Sequence, residues 1–155
     1  MNNNIENINL SDAIDVIEEI LSSGGDFRMF PRGTSMLPLI KQNIDSVVIE
    51  RHQGRLKKYD IAFYRRADGS FILHRVMKVC RDGSYIMCGD NQILLERGVS
   101  HEAVIARVKL IYKGDEQLQL DSAKYRLYAF LWTKMPVRRA TFFARRVFRR
   151  IFKRK

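Results

Sequence analysis

GTSMLP at residues 33–38 and LHRV at residues 73–76 are the two segments on which the interpretation of this chain depends. The first places the hydroxyl of Ser35 in a short turn, between a helical N-terminal segment and a strand-rich body. The second places the imidazole of His74 inside an apolar strand. A serine becomes a strong nucleophile only when a neighbouring base accepts its proton. Together the segments indicate a serine peptidase, with Ser35 as nucleophile and His74 as general base.

Hydrophobic periodicity predicts one helix and six strands before residue 121. Apolar residues recur at helical spacing from Ala13 to Leu21, and Gly24-Gly25 ends this helix. The predicted strands are residues 27–30, 46–51, 61–65, 71–79, 84–87 and 104–112, and two Asp-Gly turns connect the middle three. The predicted fold class is therefore mainly β, within α+β. The predicted divisions are an N-terminal helix at 1–25, a β domain at 26–121 and a helical tail at 122–155.

Four segments in order resemble one known superfamily. RGTSMLPLI at 32–40 looks like the serine box shared by type I signal peptidases and LexA-type self-cleaving repressors. KKYDIAFYRR at 57–66 is similar to the strand that follows that box. FILHRVMKV at 71–79 aligns with the strand of the general base, which is a histidine in the endoplasmic-reticulum and archaeal type. CGDNQILLERG at 88–98 resembles the late Gly-Asp-Asn box.

The resemblance implies the coiled antiparallel sheet of that superfamily and gives roles to further residues. The backbone N–H of Ser35 would help to hold the oxyanion. The other groups implied to bind the oxyanion or the substrate are those of the serine turn, Gly33, Thr34 and Met36. Either Asp90 or Glu96 would orient His74, or a Ser-His dyad would act without a carboxylate.

Charge is distributed very unevenly along the chain. Residues 1–121 hold 16 basic and 17 acidic side chains, whereas residues 122–155 hold 12 basic and no acidic ones. After Pro136 the pattern predicts an amphipathic helix with Phe143, Phe148 and Phe152 on its apolar face. The opposite face is predicted to carry Arg138, Arg139, Arg145, Arg146, Arg149 and Arg150. Such a helix, over residues 136–155, suits an anionic membrane surface better than nucleic acid.

Several classes are disfavoured by composition. No segment reaches the roughly 18 apolar residues of a membrane span. The first eight residues lack the pattern of a signal peptide. The expected location is therefore the cytoplasm, with the inner membrane face as a peripheral site. Two cysteines are too few for a zinc site, and no metal or cofactor is expected. Since known signal peptidases are membrane-anchored and act outside the cytoplasm, the expected role is cytoplasmic maturation of a peptide or protein substrate, or self-processing.

Two alternatives remain from the sequence. One is a catalytically inactive module of the same fold that binds a peptide or a membrane. Tyr59 replaces the glycine of the resembled pattern, and the aspartate pair expected near Glu96 is absent. The other is a LexA-like regulator, which is disfavoured because no helix-turn-helix segment precedes the serine box.

Overall fold

The computed structural model describes residues 10–134 and 136–143. The helices and strands in chain order are α1 Leu10–Ser22, β1 Phe27–Met29, β2 Ser46–Glu50, β3 Ile61–Arg65, β4 Phe71–Val79, β5 Tyr85–Cys88, β6 Glu96–Val99, β7 Val104–Lys113, β8 Glu116–Gln119 and α2 Ala123–Trp132. A further helix, α3, covers residues 136–143. All six predicted strands are present, and each of their ends lies within one residue of the prediction.

The eight strands form one antiparallel sheet. The strand order is β1-β2-β7-β3-β4-β5-β6, and β8 pairs with β7 outside this order. The long strand β7 holds the two halves together, because it pairs with both β2 and β3. The predicted mainly β, α+β fold class is therefore confirmed.

Two short strands were missing from the sequence prediction. β6 has the sequence ERGV and β8 the sequence EQLQ. Neither alternates polar and apolar residues over the four or more positions from which a strand is recognised. These two strands are stabilised by pairing with a neighbour rather than by their own sequence pattern. β6 pairs with β5, and β8 folds back on β7 after Gly114.

The two faces of the sheet carry separate hydrophobic cores. Phe63 and Leu73 are cross-strand partners and belong to the larger core. Ala62 and Tyr64, the neighbours of Phe63, belong to the smaller one. His74 is the partner of Ala62, so its side chain shares the face of Tyr64.

Both flanking helices pack into the larger core. Ile17 and Leu21 of α1 are buried there, and so are Tyr125 and Ala129 of α2. The Ser122 hydroxyl caps α2 by accepting the N–H of Tyr125 at 3.3 Å. Residues 123–132, predicted as the start of the tail, are thus packed on the β domain.

Arg138 corrects the prediction for the basic face of the tail. The sequence pattern placed it on the exposed face with Arg139, yet Arg138 is completely buried while Arg139 is exposed. The reason is that acceptors on the β domain bind its guanidinium, as described below. The predicted positions after residue 143 lie outside the described residues. Within residues 10–134 and 136–143, no helix combines the length and the apolar character required to cross a membrane.

Candidate active site

Ser35 lies in a turn that is anchored on both sides. Before it, Gly33 adopts a φ of 87°, a conformation that favours glycine. The N–H of Gly33 donates to Oε1 of Gln42 at 2.8 Å. After it, Met36 is buried in the larger core. Ser35 itself is half-buried, so the turn is fixed by its neighbours while the serine keeps part of its exposure.

Gly89 is the point at which the serine turn meets the histidine. A Cβ added to Gly89 would lie 2.6 Å from the carbonyl oxygen of Ser35 and 3.0 Å from Nε2 of His74. The position therefore leaves no space for a side chain. The N–H of Asn91 donates to the same Ser35 carbonyl at 2.7 Å. The loop after β5 thus holds the Ser35 backbone and the Nε2 edge of His74 against one glycine.

The opposite nitrogen of His74 is held by a buried tyrosine. Nδ1 lies 3.2 Å from the hydroxyl oxygen of Tyr64, and that hydroxyl donates to Oε2 of Glu96 at 2.7 Å. Tyr64 has only one hydroxyl proton, so its oxygen can interact with Nδ1 only by accepting an N–H. His74 is therefore protonated on Nδ1, and Nε2 presents its lone pair on the side of Gly89 and Ser35.

Glu96 connects this network to a surface arginine. Nε of Arg66 donates to Oε1 of Glu96 at 2.8 Å, and the hydrogen bond holds the pKa of Glu96 below its ordinary value. Glu96 Oε2 lies 3.9 Å from Nδ1 of His74, beyond direct hydrogen-bond distance. The carboxylate therefore acts on His74 through the Tyr64 hydroxyl and through its charge.

The pKa of His74 is lowered from 6.5 to about 4, chiefly by burial and secondly by the positive charge of Arg66. The carboxylates of Glu96 and Asp90 oppose this shift without reversing it. His74 is consequently neutral near pH 7, which is the form that accepts a proton from a hydroxyl.

Asp90 lies in a different cluster, on the other face of the sheet. Its carboxylate accepts from Nε and Nη2 of Arg75 at 2.8 and 2.7 Å, and both side chains are fully buried. The hydroxyl of Tyr128 donates to the same carboxylate at 3.1 Å. Asp90 is thus one residue from Gly89 but is engaged with Arg75 rather than with the His74 ring.

Arg138 attaches α3 to the loop that contains Gly89. Its Nη1 donates to the carbonyl oxygens of Gly89 and Gln92 at 2.9 and 3.1 Å, and to Sγ of Cys88 at 3.0 Å. Its Nη2 reaches Oδ1 of Asp90 at 3.4 Å. A buried arginine from the C-terminal part of the described chain therefore fixes the loop on which Ser35 and His74 converge.

A groove opens beside the histidine network. It has a volume of about 430 Å³ and is lined by Arg66 and residues 92–96. Leu94 is 85% exposed there, and Ile93 is also exposed. A surface that combines exposed apolar side chains with the charged groups of Arg66 and Glu96 is suited to an extended peptide, because backbone groups and apolar side chains would both find partners.

The structure brings some of the predicted site residues together and separates others. The backbone carbonyl oxygen of Ser35 and Nε2 of His74 both lie beside Gly89, and Glu96 is connected to His74 through Tyr64. Asp90 belongs to the Arg75 cluster. Of the predicted oxyanion groups, the N–H of Gly33 is taken by Gln42 and the side chain of Met36 is in the core, whereas Thr34 is exposed.

Three residues of the site were not recognised from the sequence: Tyr64, Arg66 and Arg138. Tyr64 and Arg66 are two positions apart on one strand and its extension, so alternation places them on a common face. The pattern contains no sign that this face is the one bearing His74, because strand register was not predictable.

Comparison with protein-family models, curated proteins and solved structures found no match to this chain.

Proposed function

We propose that this chain is a serine peptidase of the signal-peptidase and LexA type, cleaving a peptide or protein substrate during cytoplasmic maturation. The observation that supports it most strongly is the convergence of the Ser35 backbone and Nε2 of His74 on Gly89. The tautomer set by Tyr64 supports it further, because the unprotonated nitrogen is the one on the Ser35 side.

The proposed mechanism follows from these contacts. Nε2 of His74 takes the hydroxyl proton of Ser35 as Oγ attacks the carbonyl carbon of the scissile bond. The Ser35 N–H, with the exposed Thr34 hydroxyl, stabilises the oxyanion. The imidazolium that forms donates from Nδ1 to Tyr64 and is stabilised by the charge of Glu96. His74 then protonates the leaving amine, and water hydrolyses the acyl-enzyme by the reverse roles.

A peptide-cleavage assay tests this proposal. The purified protein is incubated with a mixture of unstructured peptides, and products are identified by mass spectrometry. Wild type should generate new termini, and the Ser35→Ala and His74→Gln variants should not. The same fragments from Ser35→Ala would assign the cleavage to a contaminant and reject the proposal.

A specific observation also favours the inactive peptide-binding module. The imidazole of His74 forms its hydrogen bond through Nδ1 to the Tyr64 hydroxyl, and not to Ser35. A base with a pKa of about 4 also accepts protons weakly at neutral pH. Such a module would bind peptides in the groove of residues 92–96 with equal affinity before and after Ser35→Ala, and would cleave none.

For the tail we propose a peripheral contact with an anionic membrane through residues 136–155, of which 136–143 are described. Phe143 is 70% exposed, as an inserting side chain requires. Anionic vesicles should co-sediment the protein more than neutral ones. Replacing both Phe148 and Phe152 by serine should weaken that binding although every positive charge remains. Equal binding of wild type and the double variant would exclude membrane insertion, and a steep salt dependence with RNA or DNA would favour nucleic acid.

A further inference from the structure

A second pocket lies beside the sheet, apart from the candidate active site. It has a volume of about 290 Å³ and is lined by Arg107, Asp60 and the residues from 50 to 57 other than Gly54. Arg107 is the cross-strand partner of Ala62, which in turn pairs with His74. Since neighbouring strands are about 4.8 Å apart, the backbones of Arg107 and His74 are separated by roughly 10 Å. None of the lining residues belongs to the network around Ser35.

Positive charge is in excess in this second pocket. Its lining carries four permanent cations and two carboxylates, and the cations are Arg51, Arg55, Lys57 and Arg107. The carboxylates are already engaged within the protein. Glu50 accepts from Nη2 of Arg107, and Oδ2 of Asp60 accepts the backbone N–H of Lys57 at 2.7 Å. In the described part of the chain, the side chains of Arg51, Arg55 and Lys57 form no ion pair. The charges of Arg51 and Lys57 are therefore available to a ligand, whereas that of Arg55 is partly offset by its longer-range interaction with Asp82 and Glu102.

Two of the four cations act on the same carboxylate. Burial raises the pKa of Asp60, and the charges of Arg107 and Lys57 oppose that rise. The guanidinium of Arg55 is held against a turn, because a Cβ on Gly83 would lie only 2.1 Å from its Nη1. Arg55, and Arg107 through its pairing with Glu50, are therefore partly ordered before any ligand arrives, which reduces the entropy lost on binding.

We propose that this pocket binds a phosphate monoester carried by a small polar molecule. The excess of two positive charges matches a group that carries nearly two negative charges at neutral pH. Guanidinium groups donate paired hydrogen bonds to phosphate oxygens, and an ammonium group adds a compact charge. Leu56 is the single apolar residue of the lining and is itself buried, so the remainder of the ligand is polar. A soluble phosphate ester and a phosphomonoester lipid headgroup share this chemistry.

Lys57 and Lys58 provide a matched test. Both are exposed, adjacent and equally charged, but only Lys57 lines the pocket. Glycerol phosphate is titrated by calorimetry into wild type, Lys57→Gln and Lys58→Gln, with circular dichroism confirming the fold of each. Saturable binding is expected in wild type and Lys58→Gln. It should be about tenfold weaker in Lys57→Gln, as for loss of one charge-assisted hydrogen bond.

Equal weakening in the two lysine variants, or no saturable binding in wild type, would overturn the proposal by leaving only the general positive charge of the protein. Vesicles then distinguish the source of the phosphate. If a lipid headgroup is the ligand, Lys57→Gln should weaken binding to phosphatidic acid vesicles more than binding to phosphatidylglycerol vesicles. If the ligand is a soluble phosphate ester, Lys57→Gln should leave binding to both kinds of vesicle unchanged. The Ser35→Ala variant should bind glycerol phosphate as wild type does, so that this test does not depend on the peptidase proposal.

Discussion

The hydroxyl oxygen of Tyr64 lies 3.2 Å from Nδ1 of His74. Because the hydroxyl proton is donated to Glu96, this contact requires a proton on Nδ1 and a lone pair on Nε2. Tyr64 takes no part in the bond-making steps of the proposed mechanism, but its hydroxyl determines which nitrogen of His74 is available to Ser35. Tyr64 is a positioning residue in the proposed mechanism.

Tyr64→Phe should therefore slow acylation of Ser35 by about tenfold or more while the ring packing, and hence the fold, is retained. Nitrogen NMR of His74 supplies a readout that general loosening of the fold would not give. Wild type should show the Nδ1–H tautomer, and Tyr64→Phe a mixture of the two. Tyr85→Phe is the control, since its hydroxyl interacts with His101 on the same sheet face. A single unchanged tautomer in Tyr64→Phe would contradict the role given to its hydroxyl.

Substitution of the two candidate carboxylates should affect different properties, the acylation rate for Glu96 and the stability for Asp90. Glu96→Gln should lower the acylation rate with little change in stability, because Glu96 is partly exposed and acts through Tyr64. Asp90→Asn should lower the free energy of unfolding by about 3 kcal/mol, since it leaves the buried charge of Arg75 without its partner. Urea denaturation of both variants measures the free energy of unfolding, and acylation kinetics measure the rate at Ser35. If both retain the wild-type rate, no carboxylate assists and a Ser-His dyad acts alone.

The lowered pKa of His74 predicts two pH dependences. Acylation of Ser35 should fall as the pH drops through about 4, where the base becomes protonated, and not near 6.5 as for an ordinary histidine. Stability should also fall between pH 6.5 and 4, since the unfolded chain binds a proton there that the folded chain does not. His74→Gln should remove this part of the stability profile, which amounts to at most about 3 kcal/mol. A rate midpoint near 6.5 would show that His74 is solvated.

Arg138 and Arg139 test whether α3 supports the site. Arg138→Gln should lower stability by about 3 kcal/mol and slow acylation, because it removes the donor that fixes the 88–92 loop. Arg139→Gln makes the same change in charge at an exposed position and should leave both properties unchanged. Equal effects from the two variants would show that the tail contributes only its overall charge.

Strand positions were predictable because β2, β3, β4, β5 and β7 carry their own apolar patterns. β6 and β8 were not, since their polar sequences depend on a pairing partner. The two-residue alternation around His74 was also readable from the sequence. The strand order was not, because pairing β7 with both β2 and β3 joins residues that are distant along the chain.

Motif order indicates Ser35, His74, Asp90 and Glu96 as candidate site residues, but it does not distinguish the environment of Glu96 from that of Asp90. Asp90 follows directly after Gly89, and only the course of the loop after β5 shows that it faces Arg75. Arg138 was misplaced for a related reason. A helical pattern distinguishes a polar face from an apolar one, but it gives no sign of a buried acceptor 49 residues away.

Labelling of Ser35 by a fluorophosphonate, mapped by peptide mass spectrometry, tests the central claim most directly. The folded wild-type protein should carry the adduct on Ser35, and the denatured protein should carry none. His74→Gln should slow the labelling by about 100-fold, as loss of a general base requires. Absence of the adduct, or an equal rate in His74→Gln, would contradict the proposed Ser35–His74 pair.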